Sequence, residues 1–317
     1  MARNDPLYGK LVTLIGGNGF LGRHVAQELL ERGARLRIAA RHPEKAYRLK
    51  PLANLGQLQF ARVNVADKDS IAACVAGSDA VAYLVGTFEG DQEALQAKGA
   101  GYAAEAARKS GATSFVYISA LGVDAADEES EYSRTKGLGE QLVLKAFPKA
   151  TILRPSLMFG EDDNFINMFA GVVSALPALP VFAPDAKIQP LWVDDAAEAL
   201  ANALADLGKH GGKTYELAGP KVITMMDLYQ DIAAAQQRKR GLIRMPDAFG
   251  SLFAALPLTP MNGDQWVMLK RGNIAGGALP GFDKLGIAPK PLSLFLEEWM
   301  VRYRAHGRFT QKKPNAA

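Results

Sequence analysis

Tyr132 and Lys136 stand four residues apart in Glu131-Tyr132-Ser133-Arg134-Thr135-Lys136. On a helix that spacing puts both side chains on one face, one turn apart. An ammonium beside a phenol favours the phenolate and lowers its pKa. Such a phenol can exchange a proton with a carbonyl or an alcohol while hydride moves to or from a nicotinamide. The same lysine can hold the nicotinamide ribose. Tyr-x-x-x-Lys is common by chance. Its weight comes from its place, one helix after a fifth strand in a chain that opens on a glycine motif.

That motif is Gly16-Gly17-Asn18-Gly19-Phe20-Leu21-Gly22, fed by the apolar run Leu11-Val12-Thr13-Leu14-Ile15. A strand, a glycine turn and a helix in this order form the architecture of a dinucleotide site. The backbone must turn tightly, approach a pyrophosphate closely and aim a helix N-terminus at it. Glycine lacks the Cβ that would block these approaches. Gly16, Asn18, Gly19, Phe20, Leu21 and Gly22 are therefore the expected cradle. A glycine turn without a ligand is the plainer reading, and the strand and helix on either side weigh against it.

The second strand ends in Ala39-Ala40-Arg41. An NAD site usually places Asp or Glu here for the ribose hydroxyls, whereas a guanidinium can clamp a 2′-phosphate. The expected cofactor is thus NADP(H), with NAD(H) as the alternative and His42 and Lys45 as helpers to Arg41. The rival reading makes Arg41 a solvated residue at a helix start. Asn64 and Val65 follow the third strand and are expected at the adenine edge, with Asp67 capping the next helix. Leu84, Val85 and Gly86 follow the fourth strand and should border the nicotinamide-side ribose, unless Gly86 is a plain turn residue. Pro155, at the end of the sixth, completes the expected cofactor wall. Ser119 is the candidate third catalytic hydroxyl.

Strands are expected over 11–15, 35–40, 57–63, 80–85, 114–119 and 151–153. Helices fall between them over 21–32, 68–76, 92–110 and 132–147. This alternation predicts an α/β fold, a doubly wound parallel (Rossmann) sheet with helices on both faces and its ligand at the strand carboxyl ends. A small mixed α/β C-terminal lobe completes the expectation. The boundaries read as a dinucleotide-binding core over 1–160, a lobe excursion over 161–190, a return to the core over 191–235 and a C-terminal lobe over 236–317. A helix over 292–303 is apolar on one face and runs into Arg302, Arg304, His306 and Arg308. It reads as a packed C-terminal helix, or as one resting on a membrane or a partner.

The chain has 317 residues, 48% of them hydrophobic and 22% charged, with a formal net charge of +4. That is ordinary for a globular protein and does not call for nucleic acid. Cys74 is the single cysteine, which excludes an internal disulfide and a thiolate metal cluster and points to a reducing compartment. No metal is expected. Neither a signal peptide nor a transmembrane segment is legible, so the expected location is cytoplasmic.

Together the glycine motif and Tyr132/Lys136 resemble the short-chain dehydrogenase/reductase superfamily, in its extended or atypical branch. The resemblance spans residues 10 to 235. Three stretches look more narrowly like bacterial homologues of the NADPH-binding accessory subunit of respiratory complex I. They are Gly16 to Arg23; Ile152-Leu153-Arg154-Pro155-Ser156 with Phe159-Gly160-Glu161-Asp162; and Gln189-Pro190-Leu191-Trp192-Val193 with Asp195-Ala196-Ala197. That likeness implies a tightly held, structural or redox-sensing NADPH. It also implies respiratory-chain partners at a membrane surface, with the protein peripheral to the inner face. Active extended members carry a Ser or Thr at the end of the fifth strand. Laid on their pattern, that position is Ala120, with Ser119 one residue early and turned the other way, although Ser119 can still reach if the strand has already ended. The loop from Ser119 to Tyr132 is short and acidic. The alternative is a working NADP(H)-dependent oxidoreductase, or a nucleotide-sugar-type epimerase or dehydratase, with Tyr132 as general acid/base.

Overall fold

The computed structural model describes residues 4–256, 259 and 261–305. Two compact units make up the chain. One comprises residues up to Ser156, Val193–Ala218 and Ala275–Pro289; the other comprises Leu157–Trp192, Gly219–Ile274 and Lys290 onward.

The first unit begins with β1 (Leu11–Ile15), α1 (Phe20–Glu31), β2 (Arg35–Ala40), β3 (Leu58–Arg62), α2 (Lys68–Val75) and β4 (Ala80–Tyr83). It continues through α3 (Gly99–Lys109), β5 (Ser114–Ile118), α4 (Glu131–Ala146) and β6 (Thr151–Pro155). The second unit then supplies β7 (Met158–Phe159), α5 (Phe165–Ala175), β8 (Ala178–Val181), β9 (Lys187–Ile188) and β10 (Leu191–Trp192). The chain adds α6 (Val193–Ala205), α7 (Leu207–His210) and β11 (Thr214–Leu217) to the first unit. Thereafter β12 (Ile223–Thr224), α8 (Met225–Ala235), β13 (Gly241–Arg244), α9 (Asp247–Ala255), α10 (Gly263–Arg271) and α11 (Ser293–Trp299) belong to the second.

Seven strands pair in the order β11-β6-β5-β4-β1-β2-β3, and every pairing is parallel. This is the doubly wound sheet the alternation predicts, with its order reversing between β1 and β4. Both faces are covered, so β1, β4 and β5 are buried along their whole length and read as unbroken apolar runs instead of alternating ones. α1 packs with α6, and α2, α3 and α4 pack in sequence.

The expected helix over 92–110 is not uniform. Residues Glu93–Lys98 form a π turn before α3 begins. Two buried tyrosines account for it. The Tyr83 hydroxyl donates to Leu95 O, and that of Tyr117 donates to Gln96 O at 2.9 Å. The wider turn presents carbonyls to these sheet-borne phenols, which would otherwise be buried without partners.

The second unit has its own core, built on Phe159, Ile166, Leu228, Ile232, Leu296 and Trp299 among others. Trp192 stacks on Phe295 with ring centroids 3.8 Å apart, and Phe159 is fully buried, so these aromatics serve as core. Thr224 and Asp227 form a capping box that starts α8. The expected helix over 292–303 divides into α11 and a final 3-10 turn, Met300–Tyr303. Arg302 and Arg304 are described; His306 and Arg308 lie outside the described residues.

Candidate functional site

The glycine turn leaves β1 at Gly16, whose φ is +85°, a conformation that only glycine adopts at no steric cost. A Cβ there would stand 3.1 Å from Val85 Cγ2 and 3.2 Å from Val85 N. The turn and the β4 loop thus meet backbone to backbone, which brings Val85 into the site. Gly22 serves closeness of another kind: its Cβ would lie 2.6 Å from Gly17 Cα. Gly19 differs from both. A Cβ there would approach nothing nearer than Gly16 O at 3.4 Å. Packing alone therefore does not demand glycine at position 19. Gly19 is the N-cap of α1, gives no side-chain cap, and is followed by a first turn without acidic residues. The uncapped N–H groups and the positive end of a twelve-residue helix form a cradle suited to a pyrophosphate. Leu21 is buried and Phe20 lies edge-on to His24. Asn18 Nδ2 donates to His42 O at 3.3 Å and ties the turn to the loop after β2.

Beside that loop lies a cavity of about 470 Å³, lined by Arg41, His42, Arg62, Val63, Asn64 and Ser70. Two guanidiniums and an imidazole face it, and no carboxylate is among its lining residues. Arg41 and Arg62 come from the ends of adjacent strands, for Arg62 is in register with Ala40. Both are exposed. The sequence reading names Arg41 and misses Arg62. Only the β2–β3 pairing makes the two neighbours, although a basic residue closing each strand is the available signal. His42 Nδ1 is 3.1 Å from Glu44. Asn64 is partly committed elsewhere: its Oδ1 accepts from Ala66 N at 3.1 Å, while its backbone N–H donates to Ser70 Oγ at 2.9 Å. Val65 is buried in the core. Asp67 caps α2 through the N–H groups of Asp69 and Ser70.

The far end of the site is assembled on α4. Lys136 is 1% exposed and its Nζ donates to Val85 O at 2.9 Å and Ile118 O at 2.7 Å. Burial lowers its pKa to about 7, with Glu140 pulling the other way. A methyl at Gly86 would stand 3.3 Å from Lys136 Nζ and 3.7 Å from the Tyr132 hydroxyl oxygen. Gly86, Lys136 and Tyr132 thus converge. Leu84 and Val85 flank them, both half-buried. Phe88, which the sequence reading does not single out, stacks on the Tyr132 ring with centroids 4.2 Å apart.

Ser119 lies just past the end of β5, which stops at Ile118, and is buried. Its hydroxyl has no hydrogen-bond partner among the described residues. The neighbouring Ala120 is the partly exposed residue. Pro155 is buried at the end of β6, and its carbonyl accepts from Leu121 N at 3.1 Å.

Supports hold α4 in place. Ser130 caps it. Glu140, one turn beyond Lys136, accepts two hydrogen bonds from Arg154 at 2.8 and 2.6 Å. Gln96 accepts from Thr87 N at 3.1 Å and donates to Thr135 Oγ1 at 2.6 Å, bracing the Phe88 loop against α4. Among the described residues no group of three His, Cys, Asp or Glu could hold a metal ion, and no helix is long and apolar enough to cross a membrane.

Residues 16–165 match the family model described as NAD(P)H-binding, a span that contains every site residue above. The mitochondrial NADH dehydrogenase [ubiquinone] 1 alpha subcomplex subunit 9 of Arabidopsis thaliana is 30% identical over 94% of this chain and 79% of its own length. The chain belongs to this subunit family. The Mus musculus member is 31% identical, over 94% of this chain and 81% of its own length. An NADPH-dependent quinone oxidoreductase from Escherichia coli, solved with NADPH, shares the fold. It has a TM-score of 0.72 and 19% identity, over 90% of this chain and 98% of that one. The chain is accordingly an NAD(P)-binding Rossmann protein of the subunit-9 family, with short-chain dehydrogenase/reductase-like structural neighbours.

Proposed function

We propose that this chain holds NADP(H) in preference to NAD(H), as a resident ligand with a structural or redox-sensing role. The observation that carries the preference is the Arg41–His42–Arg62 cavity, which offers positive charge and no lining carboxylate where a 2′-phosphate would sit. The uncapped α1 N-terminus would take the pyrophosphate, and Gly86 leaves room beside Lys136 for the ribose. When bound, the nicotinamide supplies hydride-transfer chemistry. The residues themselves supply a phenol beside a buried amine. Ala120, at the position where active extended members carry a hydroxyl, and the short acidic loop before Tyr132 favour holding the dinucleotide over turnover. Family membership supports respiratory-chain subunits as partners, and the reading carries with it a peripheral position at the inner face of a membrane. A thermal melt tests the preference: NADPH should raise the midpoint more than NADH. Equal shifts, or a larger shift with NADH, would overturn it.

A second reading is kept by the convergence of Gly86, Tyr132 and Lys136. There the chain is a working oxidoreductase, or an epimerase or dehydratase. Tyr132 exchanges the proton, with Lys136 tuning it. Tyr132→Phe decides it. If the wild type oxidises NADPH with a panel of carbonyl compounds no faster than this variant, the enzyme reading falls.

A further inference from the structure

The two ring nitrogens of His42 have different surroundings. Nδ1 lies 3.1 Å from Glu44 Oε1. An ionised carboxylate only accepts, so Nδ1 carries the hydrogen and, in the neutral ring, Nε2 keeps the lone pair. A main-chain hydrogen bond, and then His42 itself, hold the Glu44 carboxyl below its ordinary range. Glu44 is therefore ionised across neutral pH and fixes this tautomer throughout. No hydrogen bond to Nε2 forms among the described residues. His42 lines the same cavity as Arg41 and Arg62, and Glu44 is not among the lining residues.

The tautomer decides how each lining cation meets an anion. Arg41 and Arg62 donate at any pH, because a guanidinium keeps its proton. Neutral His42 offers the cavity a lone pair, and only the protonated ring offers a second N–H. Arg41, Arg62 and the nearby Lys45 oppose that protonation, whereas Glu44 and an arriving phosphate dianion favour it. Asn18, Asn64 and Ser70, which complete the surroundings, do not titrate.

We infer that His42 is a proton-linked specificity residue: it takes up a proton when a 2′-phosphate enters the cavity, so the preference for NADP(H) over NAD(H) tightens as pH falls. The inference rests on the dinucleotide reading proposed above and adds a regulation to it. One linked proton changes affinity by at most about tenfold per pH unit, and a charge-assisted bond to phosphate contributes about ten- to hundredfold.

Titration calorimetry of the full chain with NADP+ and with NAD+ at pH 6, 7 and 8 reads the affinity ratio. Repeating pH 7 in buffers of different ionisation enthalpy counts the proton. The 2′-phosphate itself titrates near pH 6, equally for wild type and His42→Gln, so the comparison between them removes it. The wild-type NADP+/NAD+ ratio, divided by that of His42→Gln, should rise about tenfold from pH 8 to pH 6. At pH 7 the wild type should take up about half a proton more with NADP+ than with NAD+, and the variant none. Both side chains are exposed and the Asn18 bond is to the His42 main chain, so the substitution leaves the loop in place. Glu44→Gln should move the rise to lower pH. A ratio above one that His42→Gln tracks at every pH, or equal proton uptake with both nucleotides, overturns the inference and leaves the NADP(H) preference standing. A ratio of one at every pH marks failure of the preference itself, and the inference falls with it.

Discussion

Replacing Lys136 by Met should invert the pH dependence of the stability difference between the two proteins. The amine is buried and its pKa falls from an ordinary 10.5 to about 7. A drop of that size corresponds to about 5 kcal/mol of stability withheld while the unfolded chain is protonated there. Below pH 7 both states carry the proton, and the penalty is constant at its full size. Between the folded and unfolded values only the unfolded chain binds it, so stability rises with pH by about 1.4 kcal/mol per unit. Above the unfolded value the penalty is gone. Methionine lacks this titration, but it leaves Val85 O and Ile118 O without their donor, at roughly 1–3 kcal/mol each. The wild type should therefore match or trail Lys136→Met near neutrality and exceed it by several kcal/mol near pH 10. Urea unfolding of the dinucleotide-free protein across that range measures the difference, in which titrations common to both proteins cancel. A flat difference curve would refute the reasoning, because it would mean that the amine keeps its proton on folding.

Arg41→Ala and Arg62→Ala should each cost NADPH affinity by about ten- to hundredfold, as expected for a lost charge-assisted bond to phosphate. NADH affinity should stay nearly unchanged, and titration calorimetry with both nucleotides reads the ratio. Gly22→Ala places a Cβ 2.6 Å from Gly17 Cα and should destabilise the fold by about 1–3 kcal/mol in denaturant unfolding. Glu140→Gln leaves Arg154 without its carboxylate and should cost roughly 3 kcal/mol, with a restoring effect expected from Arg154→Met in a double-mutant cycle.

The parts of the site that depend on neighbouring residues were legible before any fold was known. Gly16 to Gly22 announce a strand, a turn and a helix within a dozen residues, and Tyr132 and Lys136 need only a helix to share a face. Arg41 is legible for the same reason, as the residue next to a strand end. Arg62 is not, because its place beside Arg41 depends on strands β2 and β3 lying in register. Phe88 and Gln96 are hidden for a related reason: their partners, Tyr132 and Thr135, lie about 40 residues further along. Ser119 turns on where β5 stops, a boundary that side-chain pattern fixes only to within a residue or two. The strand ends at Ile118, and the hydroxyl just after it is buried with no hydrogen-bond partner. Glu140 and Arg154 both stand in plain view in the sequence, yet nothing local pairs a helix carboxylate with a strand guanidinium.

The π turn at Glu93–Lys98 has a bearing on how this chain can change length. A π turn is an α-helix that has taken in one extra residue while the helical turns after it keep their places. Removing one residue there, Ala94 for instance, would let the helix rewind to an ordinary ladder while α3 stayed where it is on the sheet. The loss would be the pair of carbonyls that meet the Tyr83 and Tyr117 hydroxyls. Two phenols in the middle of the sheet thus act as a length gauge for a helix distant in sequence. A shortened homologue would have to replace both tyrosines with phenylalanine to leave no buried hydroxyl unmatched.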